Sequence, residues 1–190
     1  MHTPWGASQH TTQITPEIIR VSTASHGGYH CTGKAQQRIE TLFPGFQPWA
    51  GPGWYEEDCD WAIVALAHPE HFDDRAIYHA VATVQNTHAS SGYFTVVTCW
   101  LGGTSADAAQ ARQRADAWAT MHADDYEIGS LGSPPPGAPR GAWSVSFVQL
   151  RDGARRRAIL ADYPRQATYT DQDIDRLSIS HVATTVREKV

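Results

Sequence analysis

The sequence predicts an α+β fold in which helices pack on one side of an antiparallel sheet, in a single compact domain. Three observations predict this class. Apolar residues recur at helical spacing in several segments, other segments are short and rich in β-branched residues, and the two kinds occur in separate runs. A length of 190 residues suits one domain. We therefore expect one domain over residues 1–190, with a motif-bearing half at 1–88 and a strand-rich half at 89–190.

The first third is predicted to hold one strand and one short helix before a long loop. The run from Ile18 to Ser22 predicts the strand, and the residues His26–Gly28 predict the turn that ends it. The loop spans Phe46 to Gly53, where prolines and glycines are frequent. The short helix is stopped by Pro44 and Gly45, and its apolar face is formed by Ala35, Ile39 and Leu42.

Two helices are predicted in the middle of the chain. The first begins at Glu56 and is closed by Pro69, so that Glu56–Asp58 lie in its first turn, where negative charge meets the positive end of the helix dipole. Its buried face is predicted from the helical spacing of Tyr55, Cys59, Ala62, Ile63 and Leu66. The second begins near Asp73 and is expected to bury Ile77, Ala80, Val81 and Val84.

The rest of the chain predicts more strands than helices. The β-branched and aromatic run Tyr93–Trp100 predicts a strand, and Ser105 is a suitable cap for a long helix that ends near Met121. The last third predicts in turn a strand at Tyr126–Ser130, a loop at Ser133–Gly141, a hairpin of Trp143–Leu150 and Arg155–Ala161, and a short helix capped by Thr170.

Composition and charge exclude several classes of protein. A net charge of −5 argues against nonspecific nucleic-acid binding, which depends on Lys and Arg. No apolar run approaches the ~20 residues of a membrane helix. The segment Met1–Gly6 lacks the pattern of a secretory signal, so the cytoplasm is the expected location. The odd, widely spaced set of three cysteines predicts reduced thiols rather than disulfides.

Two polar motifs, Ser22–Gly28 and Trp54–Trp61, hold most of the candidate functional residues. Nucleophilic catalysis by cysteine would use Cys59 as the thiolate, His26 as the base, and Glu57 or Asp60 to orient the imidazole. Against this interpretation, Cys59 shares the apolar face of its predicted helix, and the surrounding acids would raise the pKa of the thiol. Binding roles are assigned to Ser25, Trp54, Tyr55, Glu56 and Asp58.

Metal and anion sites are the alternatives to a catalytic cysteine. Zinc ligands of suitable type occur at His26 and His30, and again at His68, His71 and His79 with Asp73 or Asp74. None of these sets has a recognised metal-binding spacing, and the glycines after His26 and after Leu101 lack a complete phosphate-binding pattern. The sequence therefore predicts no metal and no cofactor, and whether the chain is an enzyme stays open.

Several of these motifs together resemble an uncharacterised family of domains of unknown function. The similar segments are Thr3–Gly6, Val21–Gly28 and Trp54–Ala67, with a looser similarity at His122–Tyr126. The resemblance supplies no reaction. Members of that family occur on bacterial plasmids, integrative elements and phages, so the resemblance implies that this chain also resides on a mobile element.

The expected function follows from that resemblance and from aromatic residues in loops. Trp5, Trp49 and Trp54 lie in segments rich in proline and glycine, where exposed aromatic rings often anchor protein interfaces. We therefore expect an accessory protein that binds and inhibits a host protein, such as a defence complex in an anti-CRISPR or antirestriction role. The alternative is a hydrolase or transferase dependent on Cys59 and His26. We also expect His26 and the stretch Glu56–Asp60 to share one concavity.

Overall fold

The computed structural model describes residues 1–179 and has the expected α+β class. The chain divides into two compact units, Met1–Trp118 and Ala119–Val190. Their described strands form three antiparallel sheets, of two, four and three strands. Within residues 1–179, none of the helices combines the length and the apolar character needed to cross a membrane.

The first unit contains six strands and five α-helices within the described residues. In chain order they are β1 (His2–Thr3), β2 (Gly6–Ala7), β3 (His10–Thr15), β4 (Ile18–Ser22), β5 (Gly27–Cys31), α1 (Gly33–Leu42), β6 (Trp54–Glu56), α2 (Trp61–Ala67), α3 (Asp74–Ser91), α4 (Thr95–Leu101) and α5 (Ala106–Met121), the last of which extends into the second unit. A 3₁₀ turn at Pro69–His71 follows α2.

The core of the first unit lies between one face of its four-stranded sheet and the helices. The strand order is β3-β4-β5-β6, with every neighbouring pair antiparallel. Ile18, Cys31 and Tyr55 from the strands are buried in one cluster with residues of all five helices, and α2 is buried along its whole length except for Trp61. A helix so apolar on every side belongs in a core.

The second unit is a three-stranded antiparallel sheet with one short helix. Its elements are β7 (Tyr126–Gly132), β8 (Trp143–Gln149), β9 (Arg155–Leu160) and α6 (Asp171–Leu177). Thr170 and Asp173 form a capping box at the start of α6, which confirms the predicted cap. Arg156 of β9 forms ion pairs with Asp171 and Asp175 of that helix, so this side chain connects the sheet to α6.

Most elements predicted from local sequence signals are confirmed. The strand Ile18–Ser22, the helix α1 and the hairpin of β8 and β9 lie where the sequence placed them. Asp73 caps α3, which buries the four predicted apolar residues, and the Ser105 side chain accepts from the Ala108 N–H at the start of α5.

Three predictions of local structure are wrong. The segment Tyr93–Trp100 is mainly the helix α4 and not a strand, because Val97 and Leu101, four residues apart, are both buried in the core cluster. Gly27 and Gly28 begin the strand β5, and the turn before them is Thr23–His26.

The predicted helix from Glu56 begins five residues later, at Trp61. Tyr55 is buried because β6 pairs with β5, opposite Tyr29, and its hydroxyl donates to the Gln36 side chain. The acidic residues Glu57, Asp58 and Asp60 therefore lie in the turn between β6 and α2, rather than in a first helical turn.

Candidate functional site

The antiparallel pairing of β4, β5 and β6 brings the two polar motifs together. Gly28 of β5 lies opposite Glu56 of β6, and His30 lies opposite Trp54. Since directly paired residues point to the same face of a sheet, Gly28, His30, Trp54 and Glu56 share the face opposite Tyr55 and the helices. The candidate site lies at the end of this face.

A tryptophan from the N-terminal hairpin covers part of the same face. A Cβ atom at Gly28 would lie 2.7 Å from Cη2 of Trp5 and would collide with the carbonyl oxygen of Tyr55, so only glycine leaves room for both. The Trp5 ring meets Trp54 edge to face at 5.7 Å, and Trp54 stacks on His30 with ring centroids 4.1 Å apart. Burial lowers the pKa of His30, which favours its neutral form.

His26 meets two carboxylates next to this aromatic group. Its Nδ1 atom lies 3.9 Å from Oε1 of Glu56, and donor atoms of His26, Glu56 and Asp58 all lie within 4.8 Å of one another. The His26 side chain is 50% exposed, whereas that of Glu56 is only 15% exposed. Burial and the neighbouring Asp58 raise the pKa of Glu56.

Glu57 and Ser25 lie at the border of this cluster. The Glu57 backbone N–H donates to the carbonyl oxygen of Gly27 at 3.0 Å, and its carboxylate lies against Gly27, 2.5 Å from where a Cβ atom would stand. Ser25 is exposed in the turn, whose backbone N–H groups are bound by the hydroxyl of Thr23. Of the predicted binding residues, Ser25 precedes His26 in the turn and Glu56 lies 3.9 Å from its ring, whereas Trp54 stacks on His30.

Cys59 does not have the surroundings of a nucleophile. Its Sγ atom lies 4.0 Å from Oε2 of Glu56 and 3.8 Å from Oδ1 of Asp60. Burial, reinforced by these two carboxylates, raises the pKa of the thiol to about 12. Within residues 1–179, its hydrogen-bond partners are carboxylates and do not include the His26 ring. At neutral pH such a thiol stays protonated, and the geometry gives no support to thiolate catalysis.

Asp60 holds a loop in place rather than an imidazole. The residue is fully buried, and its Oδ2 accepts a hydrogen bond from the Trp49 backbone N–H at 2.8 Å. Its Oδ1 accepts from the Tyr93 hydroxyl at 2.9 Å, and burial raises the pKa of the carboxyl group. The Trp49 ring lies 5.0 Å from the Tyr93 ring. The residue Trp49 is 72% exposed.

The other histidines and aspartates weighed as ligands have structural partners. The buried His68 makes a hydrogen bond of 3.1 Å through Nε2 to the carbonyl oxygen of Ala35, and burial lowers its pKa. Asp73 caps α3, and Asp74 forms an ion pair with Arg114. His79 packs against the rings of Tyr78 and Trp118.

Sequence reasoning missed the role of Tyr93. The residue was assigned to a strand, so nothing connected its hydroxyl with Asp60, which lies 33 positions earlier. A signal was available in the sequence, because an aspartate directly before a fully apolar helix needs a hydrogen-bond donor if it is buried.

Fold and site define an α+β protein with imidazole and carboxylate groups at one end of a sheet face and an aromatic loop fixed by a buried acid. The chain belongs to the family of the domain of unknown function DUF7007, whose model matches residues 1–123. The match contains every candidate site residue and ends close to the boundary of the first unit at Trp118. No curated protein and no solved structure shows significant similarity to the chain.

Proposed function

We propose that this protein is an accessory protein of a mobile element that binds a host protein and inhibits it in the bacterial cytoplasm. In its specific form this role is counter-defence, and the partner is an immune complex of the kind that anti-CRISPR or antirestriction proteins inhibit. The observation that carries the binding role is the exposed Trp49, whose backbone N–H donates to the buried carboxylate of Asp60. The assignment to a mobile element rests on the sequence resemblance alone.

A tryptophan exposed in this way has no evident benefit for folding. The residue is 72% exposed, although burying an indole is a large source of stability. Meanwhile the structure buries the Asp60 carboxylate to fix the Trp49 backbone, and taking a carboxylate out of water is costly. A preorganised aromatic side chain loses little entropy on binding, which is typical of an interface anchor.

The charges beside this loop indicate what kind of partner surface fits. Glu57 and Asp58 are exposed in the turn that leads to Asp60, and the whole chain has a net charge of −5. An aromatic anchor beside acidic residues is complementary to an apolar pocket surrounded by basic residues. Surfaces that bind nucleic acid are basic in this way. Nucleases and effector complexes of bacterial defence have such surfaces.

The test measures protection of phage against host defence. Cells with an active restriction or CRISPR system express the wild-type chain, Trp49→Ala or Met121→Ala, and the efficiency of phage plating is measured. Met121 is the matched control, since it is an apolar side chain 78% exposed in the same chain. We expect the wild type and Met121→Ala to raise plating and Trp49→Ala to lose the effect, because losing a tryptophan anchor weakens binding by roughly 30-fold.

A direct binding measurement accompanies the plating assay. Each purified defence complex is titrated with the three proteins, and thermal unfolding confirms that both variants are folded. The proposal fails if the wild type neither binds nor protects against any of the systems tested. It also fails if Trp49→Ala binds as tightly as the wild type, because the exposed indole would then not be the anchor.

A further inference from the structure

The cluster of His26, Glu56 and Asp58 brings one imidazole and two carboxylates together without a direct hydrogen bond between the imidazole and Glu56. The Nδ1 atom of His26 lies 3.9 Å from Oε1 of Glu56, which is too long for a hydrogen bond. Two ligands about 2.1 Å from one metal ion lie roughly 3 to 4 Å apart, depending on the angle between them. The observed separation lies at the upper end of this range, so a small rotation of either side chain would let both atoms reach one ion.

The third donor comes from the turn that follows β6. One carboxylate oxygen of Asp58 lies within 4.8 Å of the chosen donor atoms of both His26 and Glu56. Glu56 is held by its pairing with Gly28 in the sheet, and Asp58 follows two residues later, so backbone structure brings the two carboxylates together. His26 reaches them from the turn between β4 and β5.

The charges in this cluster are not balanced by a nearby basic residue. Within residues 1–179, the ion pairs of Glu56 and Asp58 include no lysine or arginine, and the His26 ring is the basic group that Glu56 approaches. Burial, and after it the neighbouring Asp58 carboxylate, raises the pKa of Glu56, because two carboxylates side by side repel each other. A divalent cation neutralises both carboxylates at once.

We propose that His26, Glu56 and Asp58 bind one divalent transition-metal ion of the zinc class. One imidazole and two carboxylates form a mixed nitrogen and oxygen ligand set, and the imidazole favours zinc over magnesium or calcium. Three protein ligands leave a further coordination position for water or for a group of a partner. The half-exposed His26 and the exposed Asp58 give the ion a path from solvent.

The test is calorimetric titration of the full, metal-free chain with zinc chloride, together with thermal unfolding with and without zinc. We expect one zinc ion per chain and a rise in melting temperature on binding, because a ligand that binds only the folded state stabilises it. His26→Ala and Asp58→Asn should weaken the affinity by about tenfold or more, because each removes one of three ligands. Magnesium and calcium should compete weakly.

His122→Ala is the matched control, since His122 also lies beside a carboxylate, with Nδ1 2.7 Å from Oδ2 of Asp125. This variant should bind zinc like the wild type. His26 and Asp58 are exposed, so their variants should unfold at the wild-type temperature without metal, which separates loss of the site from loss of the fold. The proposal is overturned if the wild type binds no zinc, or if His26→Ala and Asp58→Asn bind it unchanged. Equal weakening in His122→Ala would indicate adventitious binding by surface histidines and would also overturn it.

Discussion

Two adjacent glycines, Gly27 and Gly28, differ in how much a substitution by alanine should destabilise the site. Gly28 has a φ of +156°, and a Cβ atom there would collide with the backbone of Tyr55 and with the Trp5 ring. At Gly27 the nearest obstacle is the end of the Glu57 side chain, which can rotate away, and the Val21 carbonyl oxygen is 3.0 Å from the Cβ position, a tight contact rather than a collision. We expect Gly28→Ala to lower the free energy of unfolding by about 2 kcal/mol or more, because a backbone carbonyl and a packed ring cannot yield.

Gly27→Ala is the control for this prediction. We expect it to lower the free energy of unfolding by less than about 1 kcal/mol. Chemical denaturation of the two variants measures both values. The near-ultraviolet circular dichroism of the tryptophans should change only in Gly28→Ala, since Trp5 must move there. Equal costs for the two substitutions would contradict the packing of Trp5 on Gly28.

The buried Asp60 gives a prediction about pH. Burial raises the pKa of Asp60 above its ordinary value of 3.8, so the folded state holds the proton more tightly than the unfolded state. The contribution of Asp60 to stability is therefore full below pH 3.8 and is lost as the pH rises through the raised pKa. Asp60→Asn removes this titration, and its stability relative to the wild type should increase across that range of pH and then become constant.

The measurement is the free energy of unfolding of both proteins at a series of pH values. Asp60→Ala is the control for the hydrogen bonds, because it leaves the Trp49 N–H and the Tyr93 hydroxyl without their acceptor. We expect it to lower the free energy of unfolding by about 2 kcal/mol and to broaden the fluorescence of Trp49. A difference between Asp60→Asn and the wild type that is independent of pH would show that Asp60 does not titrate as described.

At the scale of elements, the sequence predicts the helices and strands whose caps and apolar spacing lie within the segment itself. The Asp73 and Ser105 caps and the apolar spacing of α3 lie within a few residues of the helices they define. The strand β6 and the helix α4 could not be predicted in this way. Tyr55 is in a strand because β5 lies beside it, and β-branched residues form α4 because Val97 and Leu101 reach a core built from distant segments.

The candidate site could be predicted in part for the same reason. The expectation that His26 and the stretch Glu56–Asp60 lie together rests on the polar composition of the two motifs, and the structure places Nδ1 of His26 3.9 Å from Oε1 of Glu56. Which of the acidic residues lies beside His26 could not be predicted from the sequence, because this depends on the strand β6 and on the turn that follows it. Pairing of β6 with β5 leads Glu56 and Asp58 toward His26 and directs Asp60 toward Trp49 and Tyr93 instead.

Two threonines of the helix α4 lead to opposite predictions for stability. Thr98 has a buried hydroxyl without a hydrogen-bond partner among the described residues, whereas the Thr95 hydroxyl donates to the carbonyl oxygen of Gly92 at 2.6 Å. We expect Thr98→Val to raise the free energy of unfolding by about 1 kcal/mol, because it removes an unsatisfied buried group. Thr95→Val should lower it by roughly 0.5 kcal/mol.

Urea denaturation compares the two variants, which make the same chemical change three residues apart in one helix. Far-ultraviolet circular dichroism should stay unchanged in both. Destabilisation by Thr98→Val as well as by Thr95→Val would contradict the buried, unpaired hydroxyl of Thr98.

At the scale of the whole molecule, most buried hydrophobic residues of the described chain belong to one cluster in each unit. The cluster of the first unit runs from Ile18 to Ala115, and that of the second runs from Tyr126 to Ile174. The family match at residues 1–123 contains the first cluster completely, together with the whole of α5. The single domain expected from length alone stays a prediction, and the extent of the family match suggests how to test it.

We expect a fragment of residues 1–123 to fold by itself, because it is of ordinary domain size and contains the first cluster without interruption. Six of the seven tryptophans lie in it, so fluorescence and near-ultraviolet circular dichroism report on its packing. The fragment should unfold cooperatively in urea, and Trp5→Ala should destabilise it by the same amount as in the full chain, because energetically independent regions have additive effects. A fragment that aggregates or unfolds without cooperativity would show that residues 1–190 form one folding unit, as their length predicts.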